Sequence, residues 1–305
     1  MLLKSLAFSP LVVAAVNAQV AVIPGYPPID QVPDVNSPEV KRWLQQIDLR
    51  GAPKIPVNNG DPPTCPTVPF PPAERCNWLC DQCYADDLFW CRSPNTWAIT
   101  FDDGPLLITP TILDYLKAER LCASFFLIGS HIVQRPDTVR RDFTEGHHLA
   151  SHTWSHKGLT TLTNEQIVAE MKWTEKLVHQ LTGRRLKYMR PPYGDIDNRV
   201  RSVLMKLGYI AVDWSGDDFG TDDWMLPDMI TEQEILVKFE KSLDKYVAAG
   251  RKQGIISLEH DFDVHMYNLH KKQIPLGRVR NITITNVAGC QRDRFLYQKK
   301  WARLD

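Results

Sequence analysis

Residues 97–105 read Trp97-Ala98-Ile99-Thr100-Phe101-Asp102-Asp103-Gly104-Pro105, an apolar run that ends in two carboxylates and a Gly-Pro pair. The run predicts a short buried strand, and Gly-Pro stops it. Two adjacent carboxylates at the mouth of a strand repel each other. Both stay ionised near neutrality only if a cation or a hydrogen-bond donor compensates one of them. A lone Asp-Asp-Gly is an ordinary solvated turn. Here three later stretches supply partners: His152-Thr153-Trp154-Ser155-His156, Arg190-Pro191-Pro192-Tyr193-Gly194 and Leu258-Glu259-His260-Asp261.

Around these stretches strands and helices alternate. Thr109-Pro110 opens a helix through Leu116, and Ser124 to Ile128 read as a strand followed by a short polar segment. Thr163-Asn164-Glu165-Gln166 is a capping box. Behind it Ile167, Val168, Met171, Leu177, Val178 and Leu181 keep helical spacing until Gly183. Val200 to Leu207 form another helix, stopped by Gly208 before the strand Tyr209 to Val212. A second capping box, Thr231 to Glu234, precedes a helix carrying Ile235, Phe239, Leu243 and Val247, and Gly254 introduces the strand Ile255 to Leu258. This alternation predicts an α/β fold with a parallel sheet, open or closed into a barrel. Each polar motif falls just after a strand, where the active sites of such folds gather.

The remainder of the chain sets the compartment. Of 305 residues, 43% are hydrophobic, which is ample for a core, and 36 basic residues balance 36 acidic ones. Nothing in that balance suits a polyanion, so no nucleic-acid partner is expected. Residues 1–18 read as a secretory signal: Lys4, the apolar stretch Leu11 to Val16, then Val16-Asn17-Ala18 before Gln19. No later run is long and apolar enough for a membrane span, and the charged C-terminus lacks a lipid-anchor tail. Residues 19–90 form a Pro- and Cys-rich extension, in which Ser37-Pro38-Glu39 starts a short helix carrying Trp43, Leu44 and Ile47. Cys65, Cys76, Cys80, Cys83 and Cys91 crowd together, with Cys122 and Cys290 far away. Cys80-Asp81-Gln82-Cys83 has the spacing of half a zinc site or a redox pair, but disulfides suit an exported chain better. An odd cysteine count leaves one thiol over. Cys122, at the head of an apolar strand, is expected to be that thiol, free and buried, with three bridges among the other six.

His152 and His156 are four residues apart, so one helical turn would aim both imidazoles the same way. Beside an aspartate pair they give the two-histidine, one-carboxylate set that leaves open positions on zinc or a similar ion. His147 and His148 are nearby rivals. Neighbours in a strand point to opposite faces, and they are read as structural.

The four motifs Thr100–Pro105, Ser151–His156, Arg190–Asp195 and Ser257–Asp261, in this order, resemble the polysaccharide deacetylases of carbohydrate esterase family four. The stretch Ser151 to Thr163 and the Cys-rich preface look most like secreted fungal chitin deacetylases. The resemblance covers about residues 91–262 and implies an irregular (β/α) barrel there, with 263–305 packed against it. It implies a divalent metal, zinc or cobalt, on Asp103, His152 and His156. Asp102 would be the base, kept ionised by Arg190, and the Tyr193 backbone amide would donate to the oxyanion. His260 would be the acid and Leu258 would line the acetyl pocket, with Pro192 and Trp224 as further substrate contacts. Trp154, Tyr193 and Trp224 are candidates for stacking on sugar rings, with core packing the other role open to Trp154. The carboxylate that keeps His260 protonated falls, by the family pattern, on Asp223 within Phe219-Gly220-Thr221-Asp222-Asp223-Trp224; Asp217, Asp218 and Asp222 crowd the same loop.

The resemblance also implies a Cys91–Cys290 bridge. Cys65, Cys76, Cys80 and Cys83 would then pair locally in one of three ways, with Cys80 to Cys83 disfavoured. The expected function is hydrolysis of N-acetyl groups from β-1,4-linked N-acetylglucosamine polymers by a secreted or cell-wall monomer whose partner is chitin or a chitooligosaccharide. Acetylated xylan or peptidoglycan is the alternative substrate, and an inactive carbohydrate-binding relative is the alternative class.

Overall fold

The computed structural model describes residues 23–65 and 72–298; the signal read at 1–18 and the charged C-terminus 299–305 lie outside them. Ten short strands follow one another: β1 (Trp90–Cys91), β2 (Thr96–Ala98), β3 (Thr100–Asp102), β4 (Ser124–Leu127), β5 (His148–Ser151), β6 (Tyr188–Met189), β7 (Ile210–Ala211), β8 (Gly254–Ile256), β9 (Glu259–His260) and β10 (Thr283–Thr285). Six of them form a wholly parallel sheet in the order β7-β6-β5-β4-β3-β9. The others form a second sheet, β1-β8-β2-β10, in which only β1 is antiparallel. Ile99 alone separates β2 from β3, and Ser257-Leu258 separate β8 from β9, so the two sheets are continuous along the chain. Leu88 bridges Val212 just past β7. The expected α/β fold with a parallel sheet is therefore present.

Strands β2 to β6 and β8 are buried on both faces, as parallel strands covered by helices must be. Trp97, Phe101, Phe125 and Leu149 are at most 1% exposed. The helices that cover them start where the sequence says. Thr163 and Thr231 each accept from the third helical N–H while Gln166 and Glu234 reach back, completing both capping boxes. Gly183 ends the helix Asn164–Thr182 with φ 70°, a left-handed position that suits glycine. The segment after β4, read as short and polar, is instead two helices, Gly129–Gln134 and Pro136–Thr144. Neither is long enough to show a clear hydrophobic period. Among the described residues no helix is long and apolar enough to cross a membrane.

Both flanking segments take part in the core. Ser37 caps the helix Pro38–Gln46, whose Trp43 meets Trp173 edge-on at 5.2 Å. Beyond residue 262, the helix Val264–Val279 packs against Glu232–Ala248, and β10 pairs with β2. The C-terminal residues thus extend a sheet as well as pack on it. Disulfides join Cys65 to Cys80, Cys76 to Cys83 and Cys91 to Cys290. Cys122 is free but half-buried, which corrects the buried thiol expected there. It lies before β4, outside the strand's buried run.

Candidate active site

The C-terminal ends of the parallel strands bring the polar motifs together. Asp102 closes β3, Asp103 follows it, His152 follows β5, Arg190 follows β6, and His260 closes β9. Register fixes two of them side by side, because Asp102 pairs with His260 across β3 and β9.

The two aspartates have different partners. Asp102 Oδ1 accepts from Arg190 Nη1 at 2.8 Å. Arg190 is fully buried, and its other N–H groups donate to Thr100 Oγ1 at 2.7 Å, Val212 O at 3.2 Å and Asp213 O at 3.0 Å. Its guanidinium also lies 4.3 Å from the Phe126 ring centroid. This arginine is locked, so the charge it presents to Asp102 is fixed in place. Asp102 Oδ2 faces the other way, 3.8 Å from His152 Nε2.

Asp103 sits with the histidines. Its Oδ1 lies 3.3 Å from His152 Nε2 and 3.1 Å from His156 Nε2, and the two Nε2 atoms are 3.1 Å apart. Burial works against ionisation of Asp103, but the two imidazoles outweigh it and hold the carboxyl well below the usual carboxylate range. Despite these distances, Asp103 Oδ1 is buried with no aligned hydrogen bond. His152 Nδ1 donates to Arg190 O at 2.8 Å, which fixes the ring and aims Nε2 at Asp103. Three converging ligand atoms, all within 4.8 Å of one another, and an orphaned oxygen are what a divalent cation satisfies. The residues fit a metal.

The histidine pair does not ride on a helical turn, contrary to the reading of its spacing. It sits in a loop after β5, with Thr153 and His156 both at positive φ. That loop is shaped by Glu170, a fully buried carboxylate on the helix Asn164–Thr182. It accepts from Trp154 N at 2.7 Å, Ser155 N at 2.8 Å and Ser155 Oγ at 2.7 Å. Sequence reading missed Glu170, although it sits among Ile167, Met171 and Thr174 on the apolar face of that helix, where a carboxylate needs a reason. His131 was missed too, and no sequence signal marks it. Its Nδ1 lies 2.7 Å from Asp103 O, and its Nε2 lies 3.5 Å from Asp30. Trp154 is wholly buried, its Nε1 donates to Pro28 O at 3.1 Å, and it stacks on Tyr26, which removes it from the sugar-stacking candidates. His147 accepts from Ala123 N and His148 meets Ser124 Oγ. Burial pushes both imidazoles down to about 4, so they are neutral structural groups.

His260 and Asp223 form a second buried pair. Asp223 Oδ1 lies 2.7 Å from His260 Nδ1, and Oδ2 accepts the His260 backbone N–H at 2.7 Å. Burial opposes a charge on His260, yet the Asp223 carboxylate outweighs it and lifts the imidazole to about 10. Of the rival aspartates, Asp218 pairs with Lys245 and Asp222 with Lys238. Around the rim, Tyr193 is 39% exposed and lies 4.8 Å from His156 between ring centroids, and Trp224 is 48% exposed. Leu258 is half-buried, with its carbonyl accepting from Thr221, whereas Pro192 is buried beneath Tyr193's turn. Phe262 stacks on His260 at 5.1 Å.

Residues 91–212 match the polysaccharide deacetylase family. Chitin deacetylase 1 of Cryptococcus neoformans var. grubii is 39% identical over 249 residues, covering 78% of this chain and 52% of the relative. The chain thus spans about half of that relative's length. Chitin deacetylase 1 of Saccharomyces cerevisiae is 35% identical over 238 residues, covering 76% and 71%. The solved chitin deacetylase of the fungal pathogen Colletotrichum lindemuthianum superposes with a TM-score of 0.62 at 31% identity, over 68% of this chain and 92% of that one. Similarity that runs through nearly all of a solved relative, together with the matched residues 91–212, establishes that this chain belongs to the polysaccharide deacetylase family.

Proposed function

We propose that the chain removes N-acetyl groups from β-1,4-linked N-acetylglucosamine polymers by metal-dependent hydrolysis, converting chitin to chitosan and acetate. The observation that carries this reading is the division of labour between neighbours: Asp102 is held by Arg190, while Asp103 faces two imidazoles. The substrate comes from the relatives, three of which bear the name chitin deacetylase.

Asp103, His152 and His156 would hold zinc or cobalt. Such a cation, when bound, polarises an amide carbonyl and acidifies a water. Asp102 Oδ2, the oxygen that Arg190 does not touch, takes the water proton. The Tyr193 backbone N–H donates to the oxyanion, a contribution typically worth about 3–4 kcal/mol. His260, kept as imidazolium by Asp223, protonates the leaving amine. Leu258 lines the acetyl pocket with Pro192 as a further substrate contact, and Tyr193 and Trp224 offer exposed faces to sugar rings. The three disulfides suit an oxidising compartment, in keeping with a secreted or cell-wall location.

The test is acetate release from N-acetylated chitooligomers, with acetylxylan and peptidoglycan alongside. Acetate from the chitooligomers is expected. Acetate only from another polymer overturns the substrate, and binding without turnover by zinc-loaded protein overturns the enzyme. Chelation should lower the rate by more than about 100-fold, and zinc or cobalt should restore it. A fully active protein shown metal-free by elemental analysis refutes the metal-dependent reading.

The His260–Asp223 pair gives a pH prediction. An acid must be protonated, so activity should survive until pH approaches about 10 and fall above it. Asp223→Asn removes the largest counterweight to burial and leaves only the smaller pull of the Asp103 and Asp102 carboxylates, so the alkaline limb of kcat should move to lower pH. An unchanged alkaline limb in that variant would remove His260 from the acid role.

A further inference from the structure

The disulfide-stapled segment before β1 is built against the turn that carries Tyr193. The bridge Cys76–Cys83 brackets the short helix Trp78–Asp81, and Cys65–Cys80 is anchored within it. Trp78 is buried, and its ring lies so close over Gly194 that a Cβ there would run into it. The same ring meets Trp214 edge-on at 4.3 Å. Trp78 N–H donates to Ile196 O at 3.3 Å, and Asn77 Nδ2 donates to Asp195 Oδ1 at 3.4 Å. Asp195 also accepts from Thr160 N and Thr160 Oγ1, each at 2.8 Å, which ties this turn to the loop after His156. On the far side of the knot, Arg201 donates to the carbonyls of Cys76 and Cys83.

Tyr193 and Gly194 are consecutive left-handed residues, with φ 61° and 68°. Glycine adopts that region freely, but for tyrosine it is unfavourable and persists only when the surroundings over-determine it. The knot touches Gly194, Asp195 and Ile196, the residues that immediately follow Tyr193. We propose that Trp78, assisted by Asn77, is a positioning residue for the hydrolysis: the knot holds the Pro192–Asp195 turn in the form that aims the Tyr193 amide at the oxyanion. Trp78 touches no reacting atom and acts through the turn. This rests on the deacetylase reading above.

The experiment compares Trp78→Ala and Trp78→Phe with the parent, all as full-length, zinc-loaded chains. In Trp78→Ala, kcat on a chitooligomer should fall about 10- to 100-fold, less than the roughly 10²- to 10³-fold of an oxyanion donor lost outright, because the amide is misaimed and not removed. Zinc affinity should stay within about threefold, because the knot touches none of the metal ligands, whereas KM is free to rise because the Tyr193 ring rides on the same turn. Trp78→Phe should recover most of kcat. Hydrogen exchange read by mass spectrometry should show the peptide spanning 190–196 exchanging about tenfold faster in Trp78→Ala, with β3 unchanged. A folded Trp78→Ala with parental kcat overturns the proposal, as does a parallel fall of kcat and zinc affinity, or unchanged exchange at 190–196. Should Trp78→Ala fail to fold, Asn77→Ser carries the same comparison, since serine keeps the cap on Cys80 N while losing the reach to Asp195. If the parent itself releases no acetate, the deacetylase reading fails, and the exchange difference still decides whether the knot holds the turn.

Discussion

Asp102→Asn should lower kcat by about 10³-fold while metal occupancy stays within about twofold of the parent, because a general base typically supplies 10²- to 10⁴-fold. The two oxygens of Asp102 have different surroundings. Oδ1 is engaged by a buried, immobile guanidinium at 2.8 Å, so Asp102 is held in place by a partner other than the metal. Oδ2 lies 3.8 Å from His152 Nε2, near the metal ligands without belonging to their set. An asparagine keeps an acceptor for Arg190 but cannot take a proton from water. Arg190 also keeps Thr100 Oγ1 and two backbone carbonyls as partners, so the variant should fold. His156→Ala and Asp103→Asn should do the opposite and lower metal occupancy first. Elemental analysis and single-turnover rates on the same samples separate the two. An Asp102→Asn protein that loses its metal, beside an Asp103→Asn protein that keeps it, would mean the roles are reversed.

Most of this site was legible because parallel strands put their motifs at one end. An apolar run ending in Asp102-Asp103, and another ending in His260, place those side chains without any knowledge of the helices between. The pairing of His260 with Asp223 was readable only through the resemblance, since four acidic residues crowd that loop and spacing cannot choose among them. The choice is made by packing: Asp218 and Asp222 reach lysines on the helix Glu232–Ala248, and only Asp223 turns inward, buried against β9. The histidine pair shows the limit of periodicity. A spacing of four suits a helix, but Thr153 and His156 take left-handed backbone to reach the same convergence. What stabilises that loop, Glu170, comes from a helix many residues later. The one trace such tertiary hydrogen bonds leave is a carboxylate on the apolar face of that helix, which does not say what it binds. The Cys-rich knot was readable as disulfides but not as a neighbour of Tyr193, because its contacts with residues 194–196 arise only once the chain has folded back.

Removing the Cys91–Cys290 bridge should have the largest effect on stability. The two cysteines are 199 residues apart, and closing so long a loop restricts the unfolded chain by about 5 kcal/mol on the chain-entropy account. Native geometry should survive the loss. Cys91 lies in β1, which pairs with β8, and the surrounding backbone is held independently: Ser93 N–H donates to Cys290 O at 3.0 Å, and Gln291 Nε2 to Trp90 O at 2.7 Å. Both sulfurs are buried, so alanine is the better replacement, since it leaves no hydroxyl without a partner. Cys91→Ala/Cys290→Ala should therefore keep its kcat at 25 °C and lose about 10 °C or more in melting temperature. The comparison that makes this sharp is Cys76→Ala/Cys83→Ala. That bridge spans a separation of only 7, for which the same account gives about 2–3 kcal/mol. Chemical denaturation of the two double variants should rank them with the long loop losing more. A smaller loss from the long loop than from the short one would contradict the entropic origin and place the contribution of these bridges in the folded state instead.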